Sequence, residues 1–420
     1  MTFMSESVKL LTSNWPTYKP WAEACSLWAL AAVCPEANMP GAGRPLPITF
    51  NPLAIGPSRL GFKSLVLNEM TEMLIELGVS SLPGRSTVEA MYDFINGHET
   101  QTKGEDGAVT TTPAVRITSA ILSRDETSGL VAETRKNYAG DELVFLSEML
   151  SGKIPPRNTV SHKIQEGGYI RVNFASACTP QVFNIIDEGF WTQGLGNRMI
   201  PIYWMELIMK MMSILVKTTS DANDEKWFVD QRQHVKDSLA DIKKKNVQYV
   251  ELDKDIANLF QMSEWAKRQQ GMKDYFDDKW SILPAYEYES QIHVRKIAAL
   301  RAIDRCNGDN PIVVKEDLEW SQKWMDERLV EFKVMYADWK SSRSRDKLKT
   351  ISFSAEELIL DVIAKKGGKA TSSDVYRAVQ SKMDSKLKND TLASLVANGR
   401  VLVTMNDGKT NKTVYYSIIE

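Results

Sequence analysis

Two glycines, a lysine and a serine lie close together in the segment ITFNPLAIGPSRLGFKS, residues 48–64. Gly56 and Gly61 have the separation of the phosphate-binding pattern G-x-x-x-x-G-K-[ST], and Lys63 and Ser64 follow the second glycine. Glycine lets the backbone approach an anion closely and adopt positive φ. A lysine neutralises phosphates, and a serine hydroxyl binds Mg²⁺. The segment therefore predicts a loop that binds ATP and Mg²⁺.

One residue departs from this pattern, because Phe62 stands between Gly61 and Lys63. The predicted nucleotide-binding residues, with Ser64 also the metal ligand, are Gly56, Pro57, Ser58, Arg59, Leu60, Gly61, Phe62, Lys63 and Ser64. Apolar residues 53–55 predict a strand before the loop, and LVLNEMTEMLIEL (65–77) predicts a helix after it. The N-terminal partial charge of that helix would face the phosphates. An ordinary turn before a helix is the alternative.

The composition excludes several other classes of protein. The chain has 420 residues, a length that suits two or three domains. Charged residues make up 25% of it, and its net charge of −2 does not exclude a local basic face. Four scattered cysteines and four histidines predict neither a zinc site nor a disulfide framework. The N-terminus lacks a signal-peptide pattern, and Glu206 and Lys210 interrupt the longest apolar run, residues 199–216. We expect a cytoplasmic protein without a membrane partner.

The order of apolar patterns predicts an α/β protein. The predicted parts are a helical segment (1–45), a mostly parallel, helix-covered sheet (46–216), a helical region (217–338), a basic linker (339–351) and a compact final domain (352–420). The predicted strands are Ile48–Ile55, Val115–Leu122, Leu143–Ser147, Tyr169–Ser176 and Met199–Tyr203, and two strong helices are Val250–Gln269 and Tyr286–Cys306. Ligands of such sheets bind at the carboxyl ends of the strands, where the glycine loop stands.

An ATPase with such a loop also needs carboxylates at the end of a neighbouring strand, to hold Mg²⁺ through water and to polarise the attacking water. LVFLSE (143–148) is the best candidate, with Glu148 as the general base and Ser147 where an aspartate is usual. An exposed glutamate that opens a helix is the alternative. The rival acidic pair, Asp125 and Glu126, follows AILSR, where Arg124 interrupts the strand pattern.

Two further positions fit roles around a γ-phosphate. Thr179 ends the strand-like run YIRVNFASACT, with Ser176 and Asn173 close behind, and is predicted to touch the phosphate or the attacking water; a simple Thr-Pro turn is the alternative. Arg198 precedes the apolar run MIPIYW. Its planar guanidinium suits the γ-phosphate of a nucleotide bound to a neighbouring subunit.

In this order the elements resemble the AAA+ helicase-like ATPases of phages, plasmids and genomic islands, which are related to minichromosome-maintenance helicases. The resemblance covers roughly residues 46–320. Besides the glycine loop, LVFLSEM and the segment from TPQVF to GLGNRMIPIYW, it is carried by SSLPGRSTVEAMYDFI (80–95), ILSRDETSGLVAETRKN (121–137), YESQIHVRKIAALRAIDR (288–305) and PIVVKEDLEWSQKWM (311–325). It implies a P-loop AAA+ core, an α-helical lid in which Arg295 is the sensor-2 arginine, and an oligomeric ring, expected to be a homohexamer.

The same resemblance implies where DNA is contacted. In such rings a hairpin at the position of 151–168 points into the central pore, so His162 and Lys163 are expected to touch phosphates. A solvated loop is the alternative. Residues 97–112 are either a second pore insertion or a flexible loop.

Residues 352–420 resemble a winged helix: three helices, starting at Ser354 (capped with Glu357), at Thr371 or Ser372, and near Ser385, precede strands 401–405 and 413–418. The basic residues expected to grip DNA are Lys386, Lys388, Lys409 and Lys412. A protein-binding or subunit-packing role is the alternative.

These features predict an ATP-dependent DNA helicase or translocase that acts in the replication of a phage, plasmid or mobile element, together with replication proteins of that element. Phe62 and Ser147 support the alternative of a DNA-binding initiator or scaffold with a degenerate core. A third hypothesis is an inactive subunit paired with an active sister ATPase.

Overall fold

The fold is described from a computed structural model of the chain. The described residues are 2–15, 17–41, 43–56, 62–83, 88–97, 100–103, 109–112, 115–125, 142–156, 167–184, 190, 194–204, 225–258, 283–379, 385–407 and 412–418. They form two compact units, Met1–Ala337 and Asp338–Glu420.

The helices and strands have the following bounds. The helices are α1 (Phe3–Asn14), α2 (Lys19–Val33), α3 (Lys63–Glu76), α4 (Val88–Asn96), α5 (Glu142–Leu150), α6 (Glu225–Lys244), α7 (Leu283–Arg305), α8 (Lys315–Lys365), α9 (Ser372–Val379) and α10 (Ser385–Ala397), with 3₁₀ turns at Pro180–Asn184 and Gly196–Arg198. The strands are β1 (Asn38–Met39), β2 (Leu46–Pro47), β3 (Pro52–Ile55), β4 (Thr100–Lys103), β5 (Val109–Thr112), β6 (Ser119–Arg124), β7 (Lys153–Ile154), β8 (Gly168–Tyr169), β9 (Arg171–Cys178), β10 (Ile200–Tyr203), β11 (Glu251–Leu252), β12 (Ile312–Val313), β13 (Lys369–Thr371), β14 (Val401–Asp407) and β15 (Lys412–Ile418).

A four-stranded sheet with the order β10-β3-β9-β6 forms the centre of the first unit, and all its strands are parallel. The prediction of a mixed α/β protein with a parallel sheet is thus confirmed. Strands were predicted correctly at four places, although β6 runs from 119 to 124 rather than from 115 to 122. β3 lies between β10 and β9, so the segment that follows it starts from the middle of the sheet.

Two asparagines fix the register of β3 against β9. The Phe50 amide donates to Asn173 Oδ1 and the Phe174 amide donates to Asn51 Oδ1, both at 2.9 Å. All four residues are buried. Because buried polar groups without partners are costly, this reciprocal pair opposes any slip of the two strands. It therefore also sets the level at which Gly56 leaves β3.

The N-terminal helices belong to the core of the first unit. Thr2 caps α1 in a capping box with Ser5. From Trp21 onward α2 is buried on nearly every side, and it contacts α1, α3, α7, β3 and β9. A helix that is apolar all round is a buried helix.

The predicted strand Leu143–Ser147 is wrong, because these residues belong to the helix α5. Phe145, Leu146, Met149 and Leu150 are buried, whereas Val144 is exposed and Glu148 is half-buried. Positions 144 and 148 thus share one face, as the helical period requires. A short apolar run cannot by itself distinguish a strand from a buried helix.

The two long helices predicted after residue 217 have different outcomes. The prediction of Tyr286–Cys306 is confirmed by α7. At Val250–Gln269 the structure has the short strand β11 and then helical residues 254–258, while 259–282 lie outside the described residues. Among the described helices none is long and apolar enough to span a bilayer.

The second unit contains the C-terminal end of α8, α9, α10 and an antiparallel sheet with the order β13-β15-β14. Its core is formed by Ile359, Ile363, Ala370, Val375, Val379, Leu392, Leu395 and Val401. Thr371 caps α9 through bonds exchanged with Asp374, as predicted. The helix start at Ser354 is wrong, since α8 runs unbroken from 315 to 365, through the predicted linker. Residues 339–353 contain no glycine or proline to end it.

Candidate functional site

The carboxyl ends of the four central strands meet at one edge of the sheet. Gly56 follows β3, Thr179 follows β9, Asp125 follows β6 and Trp204 follows β10. The Gly56 amide donates to the last carbonyl of β9 at 3.1 Å, so the strand ladder continues to this edge. In parallel sheets ligands bind at this edge. The structure therefore brings the predicted loop glycine and the predicted sensor threonine to neighbouring positions.

Lys63 is the first residue of α3, and its side chain folds back over the end of β3. The residue is 7% exposed, and its Nζ donates to the Gly56 carbonyl at 2.8 Å. Its own carbonyl accepts a bond from Trp21 Nε1 at 3.1 Å. The helix has no side-chain cap at its N-terminus. A lysine ammonium and an uncapped helix N-terminus thus lie at the same edge, and both favour an anion.

Phe62, the residue that lengthens the loop pattern, adopts a left-handed conformation with φ 47° and ψ 24° directly before α3. This conformation costs a residue with a side chain about 1–2 kcal/mol. Lys63 nevertheless opens the helix, with half-buried Ser64 behind it. The five other predicted loop residues, Pro57, Ser58, Arg59, Leu60 and Gly61, lie outside the described residues.

An aromatic cluster lies beside Lys63. The centre of the Trp204 ring lies 5.7 Å from Lys63 Nζ, and the rings of Tyr18 and Trp21 lie 5.3 and 6.5 Å from that of Trp204. A Cβ atom on Gly56 would lie 2.8 Å from Trp204. The sequence pattern did not predict these aromatics as site residues. Only the position of Trp204 directly after a predicted strand could have indicated it.

Glu331 of α8 attaches that helix to the same edge. Its carboxylate accepts bonds from the Tyr203 amide at 3.1 Å, the Tyr18 hydroxyl at 2.6 Å and Arg328 at 2.8 Å. Burial raises the pKa of Glu331, and Arg328 opposes that rise. Burial and the Glu331 carboxylate both raise the pKa of Tyr18 above its ordinary value. These bonds keep α2, β10 and α8 together beside the predicted loop.

The predicted general base, Glu148, does not lie at this edge. It stands on α5 close enough to Arg198 for its charge to favour the charged guanidinium. Arg198 precedes β10, whereas Gly56 lies beyond its far end, and β10 spans roughly 13 Å at the usual rise per residue. The assignment of Glu148 to a strand end is therefore wrong, and its catalytic role stays a prediction.

The rival acidic segment does lie at the carboxyl edge. Arg124 pairs with Ser176 in the register of β6 with β9, so Asp125 comes level with Ala177, two residues before Thr179. Arg124 is 5% exposed, and its carbonyl accepts a bond from Ser176 Oγ at 2.9 Å. An arginine inside the strand was the reason for ranking this segment second. The structure accommodates it, and Asp125 is exposed; Glu126 lies outside the described residues.

Arg198, predicted to reach the nucleotide of a neighbouring subunit, is bonded within its own chain. Its Nε donates to Ser151 Oγ and its Nη1 donates to the Gly194 carbonyl. Burial lowers its pKa, and the charges of Glu289 and Glu148 oppose that shift. Reaching a neighbouring subunit would require the guanidinium to leave these partners.

The predicted sensor-2 residue, Arg295, is buried on α7. Its neighbours on that helix contact residues that precede the central strands: His293 Nε2 lies 3.2 Å from the Asn197 carbonyl, and Lys296 Nζ donates to Thr49 Oγ1 at 3.0 Å. Burial lowers the pKa of His293 to about 3 and that of Lys296 to about 8. The structure thus places α7 at the amino edge, away from Lys63.

The predicted DNA-contacting hairpin is described only at its base. Lys153 pairs with Tyr169 and Ile154 with Gly168, so an antiparallel ladder closes the segment. The residues predicted to touch phosphates, His162 and Lys163, lie outside the described residues. The other candidate insertion, 97–112, contains the antiparallel pair β4 and β5.

In the second unit Lys388 Nζ lies 4.0 Å from the centre of the Tyr376 ring, so this lysine packs on α9. Lys386 and Lys412 are on α10 and β15, with side chains outside the described part, and Lys409 is not described.

No protein-family model matches this chain, and no curated protein matches it significantly. Within the described ranges there is no group of three or more histidine, cysteine or acidic side chains that could hold a metal. A magnesium site here would thus have to use few protein ligands together with phosphate oxygens and water, as such sites often do.

Proposed function

We propose that the chain is an ATP-driven DNA motor, a helicase or translocase with a P-loop AAA+ core and a C-terminal winged helix. The observation that carries the proposal is the position of Lys63. It opens α3 directly after the loop that leaves a central strand of the parallel sheet, and its ammonium lies against Gly56. A lysine, backbone amides and a helix N-terminus at one point form a site for a polyphosphate.

The chemistry of ATP assigns roles to the other residues at this edge. Bound Mg²⁺ would bridge the phosphates and neutralise charge during their transfer. Ser64 and Asp125 would hold it, the aspartate through water, and Thr179 would touch the γ-phosphate or the attacking water. Asp125 replaces Glu148 as the first carboxylate of the proposal because it follows a strand of the sheet.

Three features support the action of an oligomeric ring on DNA. The antiparallel pair β7 and β8 closes a hairpin whose sequence carries His162 and Lys163. The second unit has the helix and strand order of a winged helix, including a short strand between its first two helices. Arg198 stands at the amino edge, where a residue cannot serve its own nucleotide and would have to serve that of a neighbour in a hexamer.

A DNA-binding scaffold with an inactive core is the second candidate. The left-handed Phe62 and the placement of Glu148 on a helix favour it. In that case nucleotide binding and DNA binding persist without turnover. Cooperation with replication proteins of a mobile element fits both candidates.

Lys63→Ala tests the proposed phosphate site. We expect it to weaken ATP binding at least a hundredfold, since charge-assisted bonds to phosphate are lost. Equilibrium dialysis with labelled ATP measures this loss. Lys9→Ala, at an exposed lysine on α1, is the matched control and should bind like the wild type.

ATP binding of Lys63→Ala at wild-type strength would refute the phosphate site. Turnover of the wild type with and without single-stranded DNA then separates the two candidates. DNA-stimulated hydrolysis supports the motor, and DNA binding without hydrolysis supports the scaffold.

A further inference from the structure

Within the described part of the chain, the Lys63 ammonium contacts a backbone carbonyl and an aromatic ring. Its Nζ donates to the Gly56 carbonyl at 2.8 Å and lies 5.7 Å from the centre of the Trp204 ring. The bond from Trp21 Nε1 to the Lys63 carbonyl holds the backbone of the lysine in place. The ammonium can therefore move by rotation of the side chain, while α3 stays where it is.

Trp204 is built into the same edge. It is 2% exposed, and its amide donates to the Ile55 carbonyl at 2.9 Å, next to Gly56. The ring lies so close to Gly56 that a side chain there would collide with it. Its buried Nε1 has no acceptor within the described part of the chain. Buried indole N–H groups usually have one, so this donor points to a ligand acceptor.

We propose that Trp204 senses the ligand of this site: a nucleoside triphosphate draws the Lys63 ammonium away from the Gly56 carbonyl and the indole face onto its phosphate oxygens. This inference rests on the proposed function. Anionic phosphate is a stronger partner for an ammonium than a neutral carbonyl or an aromatic ring. The indole then loses a cation from its face and gains an acceptor near its N–H.

The exchange depends on phosphate charge and not on the base. ATP and inorganic triphosphate should both change the environment of Trp204, whereas adenosine should leave it unchanged. Tryptophan fluorescence reports this change, because indole emission depends on the charges beside the ring.

The test titrates the full-length protein with ATP and Mg²⁺ and follows tryptophan emission, with equilibrium dialysis as an independent measure of binding. We expect the wild-type emission to change along the dialysis curve. In Trp204→Phe the change should be lost, while dialysis still detects saturable ATP binding that is weaker by about tenfold, because the indole N–H no longer donates to the ligand. Trp320→Phe is the matched control, because Arg301 lies 4.6 Å above that ring, and it should keep the change.

Lys63→Met gives a second readout that needs no substitution of the buried tryptophan. Removing the ammonium should shift the emission of the ligand-free protein, and an unshifted spectrum would overturn the proposal. It is also overturned if the wild type binds ATP without a change in emission, or if Trp204→Phe keeps that change; the nucleotide site then still stands. Absence of ATP binding in dialysis refutes the proposed function and this inference together.

Discussion

Gly56 matches the phosphate-binding pattern, and the structure gives a second reason for a glycine at this position. The phosphate-binding pattern predicts glycine here so that the backbone can approach an anion. In the structure the missing side chain makes room for Trp204, which contacts both this glycine and Lys63. Trp204 and the predicted phosphate ligand therefore both require a residue without a side chain at position 56.

The buried His293 should make the free energy of unfolding depend on pH. An unfolded imidazole titrates near 6.5, whereas burial, and then the charge of Lys296, lower the pKa of His293 to about 3; its bond to Asn197 opposes this. The unfolded state thus binds the extra proton between these values. The free energy of unfolding should fall by about 1.4 kcal/mol per pH unit from this group as pH drops from 6.5 toward 3.

Chemical denaturation of the wild type and His293→Gln at several pH values measures this slope, which should be flatter in the variant. Glu289 faces the same cluster and has a raised pKa, which acts in the opposite direction but equally in both proteins. His234→Gln, at an exposed histidine on α6, should keep the wild-type slope. Equal slopes for His293→Gln and wild type would show that His293 is not buried as a neutral ring.

At the scale of elements, α5 and β6 reverse the ranking of the two acidic segments. The segment ranked first lies in a helix, and the one ranked second follows a strand of the sheet. LVFLSE has a more apolar strand pattern than AILSR, yet the first is helical and the second pairs with β9. Four neighbouring apolar residues fit either a buried strand or a helix face, and contacts with the rest of the fold decide between them. The proposed catalytic carboxylate changes with that decision, from Glu148 to Asp125.

Substitutions of the two carboxylates test this assignment. Asp125→Asn should lower the rate of ATP hydrolysis by about a hundredfold or more, since a group that positions metal or water is lost, while ATP binding persists. Glu148→Gln is the matched amide variant and should change the rate less than about threefold, because a group outside the site is not expected to contribute. Steady-state phosphate release measures both. A large loss in Glu148→Gln with full activity in Asp125→Asn would show that Glu148 on α5 is the general base and that Asp125 is not required.

At the scale of the whole molecule, the two units have separate cores. Leu395 is completely buried in the core of the second unit, and Leu395→Ala should cost about 2–5 kcal/mol there. We expect that unit to unfold at a lower temperature in calorimetry, with loss of the proposed DNA binding, while the proposed ATP binding of the first unit is unchanged. Val396→Ala, at a residue 38% exposed, is the control and should have little effect.

A parallel loss of ATP affinity in Leu395→Ala would show that the second unit supports the nucleotide site. An unchanged unfolding temperature would contradict the core described for that unit.

The sequence by itself determined the four central strands to within a few residues, α7 and the two strands of the C-terminal hairpin, and it limited the cap of α9 to Thr371 or Ser372. These depend on apolar periodicity and on side chains that bond to their own neighbours, both of which are local. It also determined that Lys63 follows a glycine loop after a strand, since that order is a property of adjacent residues.

Only the tertiary structure decided which side chains meet at the carboxyl edge. Trp204 approaches Lys63 through strand pairing across about 140 residues, and Tyr18 and Trp21 contact Trp204 through the packing of α2. The same long-range packing made residues 143–147 helical and placed α7 at the other edge. Such choices depend on which surfaces are buried against each other, and no local pattern contains that information.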